Sequence, residues 1–108
     1  MGVALTKDSI DLGIVVSDIE ASLRFYRDTL GFTPAGDGPM PGGSHMWRLM
    51  CGTTTIKLLT FDPTPTERPA KGPIGKGLGY RYWTMSVSNI REITAACEAA
   101  GFKVRVPV

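Results

Sequence analysis

The chain has 108 residues, 43% of them hydrophobic and 20% charged, with a formal net charge of +2 at pH 7. That length suits one domain with a modest core, and so small a positive balance gives no reason to expect a nucleic-acid partner. The longest apolar runs, Ile14 to Val16 and Ile56 to Leu59, fall far short of the roughly 20 residues that span a bilayer. Met1 to Asp8 contain neither a basic nor an apolar stretch of the kind an export signal needs. A cytoplasmic protein with no membrane partner is the expectation.

The first element in chain order is the run IDLGIVV, Ile10 to Val16, short, apolar and β-branched, which predicts a strand. Ser17 and Asp18 then offer side-chain oxygens for a helix N-cap, with Glu20 three residues after Ser17 as in a capping box. Ile19, Leu23, Tyr26 and Leu30 fall on one face of a helix from about Ile19 to Leu30. Gly31 stops it, because glycine enters the left-handed region without steric cost. Two further strands, Phe32 to Ala35 and His45 to Met50, are separated by the turn-rich loop GDGPMPGG, Gly36 to Gly43. After Gly52 comes a strand from Thr54 to Phe61.

Phe61 to Gly79 is dense in proline, glycine and charge, so it reads as a connector. Its GKGLG stretch, Gly75 to Gly79, does not lead from a strand into a helix and is no phosphate loop. The earlier pattern then recurs: a strand from Tyr80 to Val87, a cap at Ser88 or Asn89, a helix from Ile90 to Ala100, Gly101 as its stop, and a strand from Phe102 to Val108. The repeat divides the chain into a first unit at about 7–61, a connector at about 62–79 and a partial second unit at about 80–108. The first unit has two more strands than the second, so a further segment or a partner chain is expected to complete the second. Cys51 and Cys97 have no CxxC spacing and read as buried structural thiols.

The segment DLGIVVSDIEASLRFYRDTLGF, Asp11 to Phe32, resembles the opening strand and helix of the vicinal oxygen chelate superfamily, which includes glyoxalases, bleomycin-resistance proteins and extradiol dioxygenases. Asp18, Ser22, Phe25, Tyr26, Leu30, Gly31 and Phe32 carry the resemblance at fixed spacing. TTIKLLTF looks like the fourth strand of that fold, and YRYWTMSVSNI with CEAAGFKV looks like the start of its second module. The resemblance implies an α+β fold of paired βαβββ modules, the second incomplete here, forming a curled mixed sheet with its helices on the convex face.

Strand alternation bears on the same point without the family. Leu12, Ile14 and Val16 share a greasy face expected to meet the helix, while Asp11, Gly13 and Val15 share the other. Ile56 and Leu58 likewise oppose Thr55, Lys57 and Leu59, and Trp83, Met85 and Val87 oppose Tyr82, Thr84 and Ser86. One face under helices and one lining a partly polar cavity produces this pattern, as does a plain solvated face.

In metal-dependent members of the superfamily, His or Glu side chains on the first and fourth strands of each module hold a divalent ion. The matching positions here are Asp11, Lys57 and Tyr82, so no metal or other cofactor is expected. Asp11 alone is a poor transition-metal site and fits equally well as a polar strand-edge residue. Lys57 repels a cation; it can bind an anionic group, pair with Asp11 or lie in solvent. Tyr82 can hydrogen-bond a ligand or act as an acid, or it can be a core or rim residue.

His45 is the only histidine, and it shares a strand face with Trp47. Trp47, Phe61 and Tyr80 can form an aromatic wall or plain core. By parity Arg81 points away from Tyr82, toward the surface or an interface. Candidate ligand-binding residues are therefore Asp11, His45, Trp47, Lys57, Leu59, Phe61, Tyr82 and Thr84, with Lys57 and Tyr82 as catalytic candidates.

Three functions compete. The first is a metal-independent domain that binds a small aromatic or anionic organic molecule in the sheet cavity. The second is a metal-dependent enzyme resembling a glyoxalase, epimerase or dioxygenase, its divalent ion held by Asp11, further strands or a partner chain. The third is a metal-free acid/base set of Lys57, Tyr82 and Asp11 acting next to a carbonyl. Unpaired strand edges in the second unit point to a homodimer.

Overall fold

The computed structural model describes residues 2–108. Strand β1, Leu12–Val15, leads into helix α1, Ile19–Leu23. Asp18 caps α1 by accepting a hydrogen bond from the Ala21 backbone N–H at 3.1 Å, so it is Asp18 rather than Ser17 that holds the cap position. The predicted helix then continues with a wider π-helical turn over Arg24–Thr29. There the Leu30 N–H reaches five residues back to the Phe25 carbonyl at 2.9 Å, and the Thr29 hydroxyl donates to the Arg24 carbonyl at 2.8 Å. Gly31, at φ +78°, ends it in the left-handed conformation foreseen for it.

Strand β2, Thr33–Met40, is longer than its predicted span of Phe32 to Ala35, and most of the expected loop Gly36 to Gly43 is strand. The reason lies in its position. In the sheet order β1-β4-β3-β2 it is an edge strand, where Pro34 and Pro39 are tolerated because edge positions include backbone sites that need no ladder donor. The register slips between Pro34 and Asp37, and Gly36, at φ +98°, lies within the slip. Only Pro41 to Gly43 turn.

Strand β3, Ser44–Cys51, and strand β4, Thr54–Phe61, form an antiparallel hairpin through Gly52 and Thr53. β1 pairs parallel with β4. One sheet face carries Leu12 and Ile14 from β1, Trp47 and Leu49 from β3, and Ile56 and Leu58 from β4. It packs against Ile19, Leu23, Tyr26, Leu30 and Phe32 to make the core, in which Ile56 and Leu58 have no exposure at all. The alternation therefore predicts the helix-facing side correctly.

The second unit departs from expectation. Helix α2 spans Ile90–Ala99 as predicted, with Gly101 at φ +87° just beyond it. Tyr80 to Val87 and Phe102 to Val108, however, are not strands. A strand is held by backbone bonds to a neighbour, and after Phe61 the described residues supply no strand for either segment to pair with. Tyr80 to Val87 instead borders the helix-facing side of the sheet, where the Trp83 ring stacks on Tyr26 with centroids 6.4 Å apart. The Phe102 ring meets Phe25 edge-on at 4.9 Å, under the Arg24 guanidinium at 4.6 Å.

The connector contains a single 3-10 turn, Ile74–Lys76. Arg81 is not simply a surface residue. Its guanidinium donates to the Ala70, Pro73 and Ile74 carbonyls, each at 3.0 Å, and so clasps the connector to the segment that follows. Cys51 and Cys97 are free thiols and only half-buried, so neither is the fully buried core thiol expected. Among the described residues no helix is long and apolar enough to cross a membrane.

Candidate functional site

The sheet face turned away from the helices is the concave one, and its chemistry follows from the hairpin. A two-residue loop between Cys51 and Thr54 fixes the register, which sets Arg48 of β3 directly opposite Lys57 of β4. Their neighbours on this face are Met46 and Met50 on β3, Thr55 and Leu59 on β4, and Gly13 and Val15 on β1. A Cβ on Gly13 would come within 3.6 Å of the Leu59 side chain, an ordinary contact, so glycine leaves open space beside that leucine.

The acidic group here is Asp11, and it is already engaged. One carboxylate oxygen accepts from the Lys7 ammonium at 2.6 Å and from the Thr55 backbone N–H at 3.0 Å, while the other lies 3.9 Å from the Lys57 nitrogen. The hydrogen bond from Lys7, then the one from Thr55 and finally the more distant Lys57 charge, hold the Asp11 carboxyl below its ordinary range against a smaller opposing effect of desolvation. A depressed carboxylate stabilises the fold above its unfolded pKa and ceases to do so as pH falls through the folded value. Asp11→Asn is therefore expected to lower the urea midpoint near neutral pH, with the gap from wild type closing below about pH 4. A gap that stays constant down to pH about 2 would show that the carboxylate charge contributes nothing.

A sequence model of the Glyoxalase/Bleomycin resistance protein/Dioxygenase superfamily matches residues 9–108. The chain belongs to that superfamily. Among solved structures, SMU.1112c is similar with a TM-score of 0.69 and 20% identity, over 90% of this chain and 77% of that one. A glyoxalase family protein from Enterococcus faecalis is similar with a TM-score of 0.59 and 22% identity, over 85% of this chain and 68% of that one. At such identities these likenesses speak for the fold alone. No curated protein matches the sequence.

Within this superfamily fold the candidate residues part into two groups. Asp11, Lys57, Leu59 and Phe61 lie on or beside the concave face. His45 and Trp47 share a face, as parity predicts, but it is the opposite one. The Trp47 ring packs on the core. The His45 Nε2 pairs with an Asp37 carboxylate oxygen at 2.6 Å, and its ring centroid is 4.2 Å from that of Trp47. Tyr82 is 68% exposed in the unpaired segment and Tyr80 is fully exposed, so neither forms an aromatic wall with Phe61. Thr84 borders a cavity on the helix-facing side.

Arg48 is the residue that sequence reasoning missed, although its signal was present. Counting outward from the Gly52-Thr53 turn pairs position 48 with position 57. Among the described residues Arg48 makes no ion pair or side-chain hydrogen bond.

The residues at the superfamily's metal positions do not fit a divalent ion. Asp11 faces two ammonium groups, Lys57 is one of them, and Tyr82 lies outside the sheet. Among the described residues no three His, Cys, Asp or Glu side chains converge elsewhere.

Proposed function

We propose that this superfamily domain binds a small organic anion on the concave face without a metal ion, with Arg48 and Lys57 taking the anionic group. The observation that carries the proposal is the direct opposition of these two cations in the middle of the sheet. Like charges facing each other across a strand pair destabilise it. Asp11 does not fully neutralise the pair, because its short ionic contact is to Lys7 and it stands 3.9 Å from Lys57. A carboxylate or phosphate supplies the missing negative charge, and the arginine fork suits the planar, two-point contact that such groups make. Val15 and Leu59 beside the pair offer an apolar bed for the rest of the ligand.

Chelator-treated protein, titrated calorimetrically with an aromatic carboxylate and with the corresponding neutral amide, tests the proposal. The carboxylate is expected to bind with chelator present, more weakly as salt rises, while the amide does not. Equal binding of both compounds, or binding of the carboxylate only after a divalent ion is added, contradicts it.

A further inference from the structure

The strand register lays the concave face out in rows. The middle row runs Gly13, Lys57, Arg48, and the row on one side of it carries Val15 and Leu59. On the other side, nearer the turn between β3 and β4, Thr55 lies with Asp11 beside it. Asp11 is anchored through one oxygen: Oδ1 accepts from the Lys7 Nζ at 2.6 Å and from the Thr55 N–H at 3.0 Å. Among the described residues its Oδ2 accepts no hydrogen bond, and the Lys57 Nζ lies 3.9 Å from it. Gly13, between Asp11 and Val15 on the same face, carries no side chain, and a Cβ there would meet only Leu59 within 4 Å. The carboxylate is thus held in place, with one oxygen left open toward Lys57.

We infer that Asp11 is a specificity-determining residue, a fixed negative charge beside the anion seat that makes the site favour a singly charged carboxylate over a doubly charged phosphate ester. This role of Asp11 presupposes the seat at Arg48 and Lys57 proposed above. An anion oxygen bonded to the Lys57 Nζ at about 2.8 Å lies no farther than about 7 Å from Oδ2, since the Nζ itself is 3.9 Å away. That is inside the screening length of roughly 8 Å at physiological salt. Each unit of ligand charge at the seat is repelled by Asp11, so a dianion meets the repulsion twice and a monoanion once. Arg48, Lys57 and Asp11 together carry one net positive charge, which a carboxylate neutralises and a phosphate dianion exceeds. Lys7 offsets part of the Asp11 charge, but its ammonium binds on the Oδ1 side and also donates to the Thr53 carbonyl of the turn at 3.1 Å.

Calorimetric titration of the full chain with phenylacetate and with phenyl phosphate, at about pH 8 where the ester is doubly ionised, tests the role of Asp11. Asp11→Asn keeps an acceptor for the Thr55 N–H and removes the charge; it is expected to raise phosphate affinity about three- to tenfold more than carboxylate affinity. Lys7→Met, which leaves Asp11 uncompensated, is expected to move the ratio of the two affinities the other way, and it decides alone if Asp11→Asn does not fold. Asp28→Asn removes a carboxylate that pairs with Arg27 on the helix and should leave the ratio unchanged. An unchanged ratio in Asp11→Asn, or an equal change in Asp28→Asn, overturns the role of Asp11 while the anion seat stands. A wild type that binds neither compound removes the seat, and the role of Asp11 with it.

Discussion

Leu58→Ala is expected to destabilise the domain by about 2–5 kcal/mol, the range for deleting a buried leucine and leaving a cavity behind. Leu58 sits on the central strand β4 with no exposure, between β1 and β3 and under α1. The core around it is small: among the described residues it comprises Leu23, Phe32, Leu49, Ile56 and Leu58, with partly buried side chains packed against them. Few neighbours are available to collapse into the space. Domains of this kind have about 5–15 kcal/mol of stability in all, so the variant should lose a large share of it. Leu59→Ala, one residue on, is the control. Leu59 lies on the concave face and is only half-buried, and its truncation should cost less than half as much. Urea unfolding followed by circular dichroism measures both, and a larger loss for Leu59→Ala would mean that the two faces have been exchanged.

The second large effect is on binding. Arg48→Met and Lys57→Met are each expected to weaken carboxylate binding by roughly ten- to a hundredfold, since a hydrogen bond to a charged group contributes about 1.5–3 kcal/mol. Stability should move the other way. Arg48 and Lys57 face each other as like charges, so Arg48→Met relieves a repulsion and should unfold at the same or a slightly higher urea concentration, whereas in Lys57→Met that relief is offset by the lost attraction to Asp11, 3.9 Å away. A merely structural role predicts the opposite pairing, with lower stability and unchanged affinity. Arg48→Lys separates charge from geometry: it keeps the positive charge and loses the two-point fork, and should bind between wild type and Arg48→Met.

The first unit of the fold was legible in the sequence because its signals are local. The Asp18 cap, the Gly31 stop and the alternation Leu12, Ile14, Val16 each depend on neighbours within a few residues, and each is found as expected. β2 was underestimated because its prolines and glycines read as a loop. Pairing with β3 at a sheet edge overrides that propensity, a long-range effect that no window over Gly36 to Gly43 contains.

The strands expected at Tyr80 to Val87 and Phe102 to Val108 failed for the converse reason. Their residues have strand character, but backbone bonding needs a partner that the described residues do not supply. The candidate site divides along the same line. Lys57, Leu59 and Phe61 follow from alternation on one strand, and Arg48 needs the hairpin register as well. Tyr82 enters the site only through a strand that does not form, while parity groups His45 with Trp47 without fixing which face of β3 meets the helix.

At 11.6 kDa the domain is small enough for amide-resolved NMR, and chemical-shift mapping with an aromatic carboxylate in the presence of chelator probes the anion site directly. The largest perturbations are predicted at Gly13, Val15, Arg48, Lys57 and Leu59, with the amides of Leu12, Cys51, Trp83 and Met85 responding less. A shift pattern centred on that second set, or none until a divalent metal is added, would contradict a metal-free anion site on the concave face.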